Sequence, residues 1–340
     1  MKNLNQYPLV SIITPCYNTG NLVNHLLDSI LMQDYPNVEM FAINDGSTDN
    51  TCEVINNYIT RFKEKGYKLT YIFQQNSGQS VAINNGLKLI NGKYLVWPDS
   101  DDWYASEKSI SKMVDHLEHA SEEFAMVRTQ EQVVDEATSE VLLITGKDAK
   151  EQEDKSLFED CLYVENNFYF CSGAYMVKTS VLKETTDLDI FTAKDAGQNW
   201  QLLLPVLYKY RCLTIKEILY TVLQRTSSHS RGQYDGYIKS LRKYQVYQDT
   251  IQETLLRIKG LPDTKKAYYQ REIKLRYLMI NLLLDFQYNQ IDAFKARCAE
   301  LKKADHCSWK ESFLSLGLRL PFVKIQFAKK MIRTIYKVIS

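Results

Sequence analysis

The chain has 340 residues, 45% of them hydrophobic, and 42 Lys and Arg against 41 Asp and Glu give a net charge of +1. That length and apolar content allow a large core with an appendage, or two domains, and exclude a disordered chain; the balanced charge leaves no global field to attract nucleic acid. Seven cysteines, Cys16, Cys52, Cys161, Cys171, Cys212, Cys298 and Cys307, form no CxxC pair and no metal-ligand spacing, which fits reduced cytosolic thiols rather than a disulfide framework.

Met1 to Gln6 is polar, with no apolar signal region, and leads straight into a strand, so a cytoplasmic location is expected. Leu9 to Thr14 is an apolar β-rich run ended by Pro15, and Asn21 to Met32 carries Leu22, Leu26, Leu27, Ile30 and Leu31 at helical spacing. The unit repeats as strand Val38 to Ile43 with helix Asp49 to Phe62, then strand Leu69 to Phe73 with helix Ser80 to Ile90, then strand Tyr94 to Trp97. Four strands alternating with helices predict a parallel, doubly wound α/β sheet, with ligands bound outside the carboxyl ends of the strands. The loops that matter are then Pro15 to Gly20, Asn44 to Asp49, Gln75 to Gln79 and Pro98 to Asp102. Neither the dinucleotide fingerprint nor the P-loop is present to fill that crevice.

From Glu107 to His229 the alternation is irregular, with a helix at Ile110 to His119, strand-like pieces at Val141 to Ile144 and Phe168 to Val177, and a helix from Gln198 to Tyr210. From Gln233 the sequence reads as a separate helical bundle broken only at Gly260-Leu261-Pro262. Near the end, Gln326, Lys330, Arg333 and Lys337 share one helical face, and Ile325, Ala328, Ile332, Ile335 and Ile339 the other. Residues 322–340 are thus a basic amphipathic segment suited either to an anionic membrane surface or to packing on the preceding helices. The tyrosine-rich bundle offers self-association as a homo-oligomer, or a hold on an acceptor chain.

Asp99-Ser100-Asp101-Asp102 places three carboxylates on a tight turn directly after Tyr94-Leu95-Val96-Trp97. Such oxygen ligands suit Mg²⁺ or Mn²⁺, which completes its shell with water and substrate phosphates. Tyr17 offers an aromatic face for stacking, Asp45 an acceptor carboxylate, and Gly78 permits close backbone approach ahead of a helix N-terminus. Asp49 reads as a helix cap. Cys171-Ser172-Gly173-Ala174 can line a sugar pocket or simply pack in a strand.

Taken together, Pro15-Cys16-Tyr17-Asn18, Asn44-Asp45-Gly46-Ser47-Thr48-Asp49, Asn76-Ser77-Gly78-Gln79-Ser80 with Asn84-Asn85-Gly86-Leu87, and Asp99-Ser100-Asp101-Asp102-Trp103 resemble, in order and spacing, the family 2 glycosyltransferases of the GT-A fold. The resemblance is close over residues 1–105 and looser to Arg231. It implies a GT-A domain with a Rossmann-like mixed sheet over 1–231, made of a nucleotide-sugar half (1–105) and an acceptor half (106–231), followed by a helical domain over 232–340. It also implies metal-dependent, inverting transfer from a nucleotide-sugar, expected to be a UDP-sugar, to a glycan, lipid-linked or protein-linked acceptor in cell-surface polysaccharide synthesis, at the inner face of the membrane. By the same resemblance Asp99 contacts the ribose, Asp101 binds the metal that bridges the diphosphate, and Asp102 supports the turn. Pro15, Tyr17, Asn18, Asp45, Gly78, Gln79, Ser80 and Ser100 line the donor site, His229 completes the metal shell and Arg231 neutralises leaving-group charge.

Two positions depart from the family pattern: Ile83 stands where an arginine is usual, and Gln198-Asn199 where a Glu-Asp pair supplies the general base. An amide cannot take a proton. Three readings stay open: Asp195 serves as base, Asp187 or Asp189 does, or Asn199 only positions the acceptor. The same departures admit a non-catalytic partner that binds a nucleotide-sugar or glycan. A sugar-phosphate nucleotidyltransferase is a further alternative, although the Gly-rich basic loop it would need is missing from Pro15 to Gly20.

Overall fold

The computed structural model describes residues 6–152, 156–193, 195–225 and 236–303. In chain order the first part holds β1 (Val10–Cys16), α1 (Val23–Leu31), β2 (Val38–Asp45), α2 (Thr51–Lys65), β3 (Lys68–Gln74), α3 (Gln79–Leu87), β4 (Tyr94–Val96), β5 (Trp103–Tyr104) and α4 (Ser109–His119). Next come β6 (Phe124–Asp135), β7 (Val141–Thr145), α5 (Phe158–Tyr163), β8 (Tyr175–Lys178), α6 (Thr179–Thr185), α7 (Asn199–Lys209) and β9 (Arg211–Gln224), and then the long helices α8 (Tyr237–Arg257), α9 (Asp263–Gln287) and α10 (Ile291–Lys303).

Every residue of β2 is buried, as are Val10, Ile12 and Ile13 of β1, because helices cover both faces of these strands. On α1, Val23, Leu26, Leu27 and Ile30 are buried; of the residues read at helical spacing from the sequence, Leu26, Leu27 and Ile30 lie on that face, while Leu22 and Leu31 are half-buried. The sheet order is β3-β2-β1-β4-β8-β6-β9-β5, with β7 paired to β6. Its first four strands are parallel, as expected. Beyond β4 the sheet is mixed: β8 runs antiparallel to both β4 and β6, β9 runs parallel to β6, and β5 runs antiparallel to β9.

Pro15 does not end β1. The strand continues to Cys16, with Pro15 opposite Ile43. Val10 N donates to Asn37 O on the β2 side at 3.1 Å, so by alternation the nitrogen of Pro15 lies toward β4, whose pairing stops at Ile12. The missing N–H therefore costs no ladder bond. Phe168 to Val177 is not one strand either. Only Tyr175 onward is paired as a strand, while Phe168 packs on Phe170 at 5.2 Å and Phe170 on Trp200 at 4.8 Å, and Ser172–Ala174 forms a 3₁₀ turn. The long strands β6 and β9 occupy the region that reads as irregular in the sequence.

The chain divides into two compact units, the first running to Thr226 and regaining Glu253–Pro262, the second made of Ser227–Gln252 and Asp263 onward. In the first, Leu255, Ile258 and Leu261 are buried, and Lys259 N donates to Thr185 O at 3.2 Å. The second is helical, and within it the fully buried Asp285 of α9 accepts a hydrogen bond from Tyr237 Oη at 2.7 Å and pairs with Arg297. Among the described residues no helix is long and apolar enough to cross a membrane. The basic segment 322–340 lies outside the described residues.

One buried carboxylate fastens the short β4 region to β1. Glu39, 5% exposed, accepts from Ser11 Oγ at 2.6 Å and from Asn91 N at 2.7 Å, and Ser11 Oγ in turn accepts from Gly92 N at 2.9 Å. A side chain at residue 92 would place its Cβ 2.6 Å from Ser11 N. Replacing Glu39 with alanine strands the buried Ser11 hydroxyl and takes away the acceptor of Asn91 N, and is expected to cost about 1–3 kcal/mol of unfolding free energy in urea titration. An unchanged midpoint would show that the network carries no stability.

Candidate functional site

The loops after β1, β2 and β3 are bonded to one another. Asn18, in the left-handed region at φ +50°, accepts from Thr48 N through Oδ1 at 2.8 Å, and its own N–H donates to Ser47 Oγ at 3.0 Å. Gly20 N donates to Asp49 Oδ2 at 3.0 Å, and a Cβ on Gly20 would meet Asn50 Oδ1 at 2.0 Å. Asp49 also accepts from Thr51 N at 3.0 Å, so it caps α2 from just outside the helix. Its burial works against ionisation, but the bonds from the Thr51 hydroxyl and the Gly20 and Thr51 amides prevail and hold it below the usual carboxylate range.

Asp45, at the end of β2, carries three donors: Gln74 Nε2 at 2.7 Å and Ser77 N at 2.8 Å on Oδ1, and Gly78 N at 2.9 Å on Oδ2. The residue expected to read a base is therefore also the anchor of the loop that carries Gly78. Tyr17 is 39% exposed, and Pro15 is half-buried. Ser80 is fully buried, and its hydroxyl donates to Ala193 O at 3.3 Å. Ile83 is also fully buried. A cavity of about 360 Å³ is lined by Asn76, Ser77, Val81, Thr192 and Ala193.

Three elements converge on Asp99. Gln79 Nε2 from the start of α3 and Gln198 Nε2 from the residue before α7 donate to Oδ1 at 3.0 and 3.3 Å, and Ser172 Oγ donates to Oδ2 at 3.0 Å. Burial and the charge of Asp101 push the Asp99 carboxyl up to about 6 against those three bonds. Asp102 is buried and accepts from Leu223 N at 2.9 Å, which ties the turn to the end of β9; burial and its two acidic neighbours hold its carboxyl well above the usual range. Asp101 pairs with Arg225, Nη2 to Oδ2 at 2.6 Å. Ser100 is buried beneath the turn.

The expected base region is a hydrogen-bonded hub. Asn199 Oδ1 accepts from Trp97 Nε1 at 3.2 Å and lies 3.2 Å from Ser172 Oγ, whose single proton it shares with Asp99 Oδ2, and Gln198 Nε2 donates to Ser172 Oγ at 3.1 Å. Gly173 allows this turn to sit against β9, since a Cβ there would lie 2.1 Å from Tyr220 Cε2. Asp187 pairs with Lys259, while Asp189 pairs with Arg257 and accepts from Asn84 Nδ2 at 3.0 Å. Asp195 lies half-buried in the turn leading to α7.

The structure thus brings together Gln79, Asp99 and Asn199 through Ser172, and sets Asp101 beside Arg225. Ser172 falls in the Cys171–Ala174 run that the sequence reads either as pocket lining or as strand packing, whereas Arg225 is a candidate that the sequence reading missed; a lone cation directly after a strand is its trace. His229 and Arg231 lie outside the described residues. Among the described residues no group of three or more His, Cys, Asp or Glu is placed to hold a metal. The paired carboxylates Asp99 and Asp101 nonetheless fit a hard cation that takes its other ligands from water and phosphate: Asp101 raises Asp99, and a cationic group already sits on Asp101.

Residues 11–185 match the family described as Glycosyl transferase family 2. Glycosyltransferase GlyA of Streptococcus pneumoniae is 42% identical over 94 residues, 28% of this chain and 13% of GlyA. TuaG of Bacillus subtilis, named for teichuronic acid biosynthesis, is 36% identical over 104 residues, 31% of this chain and 40% of TuaG. The matched segments span less than half the length of these relatives. The structure of S. aureus TarS 1–349 in complex with UDP-GlcNAc superposes with a TM-score of 0.61 over 97% of this chain and 90% of that one, at 18% identity, so the two share a fold.

Gln198→Glu sets a second carboxylate against Asp99. Both groups then take up protons more readily folded than unfolded, so the penalty is absent at low pH and complete above their folded pKa values. The variant is expected to lose roughly 1–2 kcal/mol relative to the parent at pH 8 and much less at pH 5, read as melting temperatures at the two pH values. An equal loss at both would disprove the contact.

Proposed function

The chain belongs to glycosyl transferase family 2, and we propose that it moves a sugar from a UDP-sugar to a hydroxyl of a glycan, lipid-linked or protein-linked acceptor in cell-surface polysaccharide synthesis. One observation carries this reading: the Asp99–Asp102 turn at the carboxyl end of β4, joined through Gln79 to the loop that Asp45 anchors. The UDP-GlcNAc complex of TarS supports the nucleotide, and the name of TuaG supports the cell-surface role.

In this reading Asp101, with Asp99 beside it, holds Mg²⁺ or Mn²⁺, which when bound offsets the charge of the departing diphosphate. Asp99 has three of its roughly four acceptor positions filled and offers the fourth to a ribose hydroxyl. Asp45 keeps one position for the N3 proton of uracil in the same way, and Tyr17 stacks on the base. The sugar is displaced directly, with inversion, and a carboxylate takes the acceptor proton. Asp195, in the turn three residues before Gln198 that leads into α7, is assigned as the base. Asn199 orients the Ser172 turn. The amide pair Gln198-Asn199 also favours a second reading, a partner that binds the donor without turning it over.

The two readings separate in a panel of UDP-sugars. Mn²⁺-dependent release of UDP is expected from at least one donor, lost in Asp101→Asn and lowered in kcat by about 10²-fold or more in Asp195→Asn with KM little changed. Full turnover by Asp195→Asn would remove it as base, and binding without release by the parent would favour the second reading. Residues 322–340 are proposed to attach the protein to anionic membranes. Full-length protein should float with phosphatidylglycerol liposomes, and a variant with Lys330, Arg333 and Lys337 changed to glutamate should stay behind; equal recovery of the two would reject the attachment.

A further inference from the structure

Arg225 is the last described residue of its strand segment, one position beyond β9. Its guanidinium lies on Asp101 Oδ2 at 2.6 Å, with the two side chains only 17% and 22% exposed. Two residues earlier, Leu223 N is bonded to Asp102 at 2.9 Å, so the backbone that carries Arg225 is fixed to the same turn that carries Asp101. Arg225 Nε is buried and has no hydrogen-bond partner among the described residues, so only one edge of the fork is used. Arginine–carboxylate pairs are frequently bidentate, and this one spends a single N–H on Asp101.

We propose that Arg225 is a latch on the metal position: its guanidinium occupies Asp101 until a divalent cation and the donor diphosphate arrive together. This rests on the reading that Asp101 is the metal ligand. A cation arriving alone must displace a tethered positive charge from a largely desolvated carboxylate, and the displaced guanidinium is left without an anion. A diphosphate changes both sides of that exchange, since it ligates the cation and offers Arg225 a new anionic partner within reach. Metal and donor binding are thereby coupled, and the coupling is reciprocal. Arg225 would be a positioning residue whose first effect is on binding.

Mn²⁺ binding followed by electron paramagnetic resonance, without and with UDP, tests this apart from turnover. Arg225→Gln is expected to bind Mn²⁺ alone roughly tenfold more tightly than the parent, and to gain less from added UDP. Arg225→Lys, which keeps the charge, should stay close to the parent and shows that the site tolerates change at this position. Asp101→Asn should lose Mn²⁺ binding in both the parent and the Arg225→Gln background. If Asp101→Asn binds Mn²⁺ as the parent does, the metal-ligand reading fails. If Asp101→Asn loses the metal while Arg225→Gln binds it no more tightly than the parent, the latch fails and the metal site stands.

Discussion

The site depends on one carboxylate held from three directions. Asp99 is reached by Gln79 at the head of α3, by Ser172 in the 3₁₀ turn before β8, and by Gln198 at the head of α7. These groups come from both sides of the mixed sheet, from its parallel half and from the half that turns back on it. Each bond is ordinary in length, yet together they fix where the acidic turn stands relative to the donor loops and to the helix expected to serve the acceptor. Burial first, and then the charge of Asp101 in a turn crowded with acids, raise Asp99 to about 6 despite its three donors.

That crowding gives a physical reason for the unusual amide pair. A carboxylate at residue 198 would lie about as far from Asp99 as the Gln198 amide does now, 3.3 Å, and would add a fourth acid to the cluster. An amide nitrogen instead donates to Asp99 and to Ser172 at once. Asn199 completes the arrangement by accepting from Trp97 and Ser172. The positions that usually hold acids have become struts.

Legibility in the sequence followed the range of the interactions. The β1 to β4 region announced itself through local periodicity, because parallel strands covered on both faces are apolar throughout and their helices carry one apolar stripe. β6 was hidden because Arg128 and Glu131, both buried, interrupt its middle and make a strand look like a loop. Phe168 to Ala174 misled in the opposite direction: its aromatic residues pack on one another and on Trp200 rather than forming a ladder. Asp45, Asp99 and Asp101 sit in compact motifs that the sequence singles out. Arg225 meets its partner 124 residues away, and no local spacing marks such a pair.

The bonds among Asn18, Ser47, Thr48, Asp45, Ser77 and Gly78 are complete within the folded chain. A ligand settling over these loops meets backbone amides whose conformational entropy was surrendered during folding, so little further ordering is charged to the encounter. Association at this rim is then governed by how fast the ligand sheds its water and finds its orientation, and a nucleotide should dock as onto a stiff cradle.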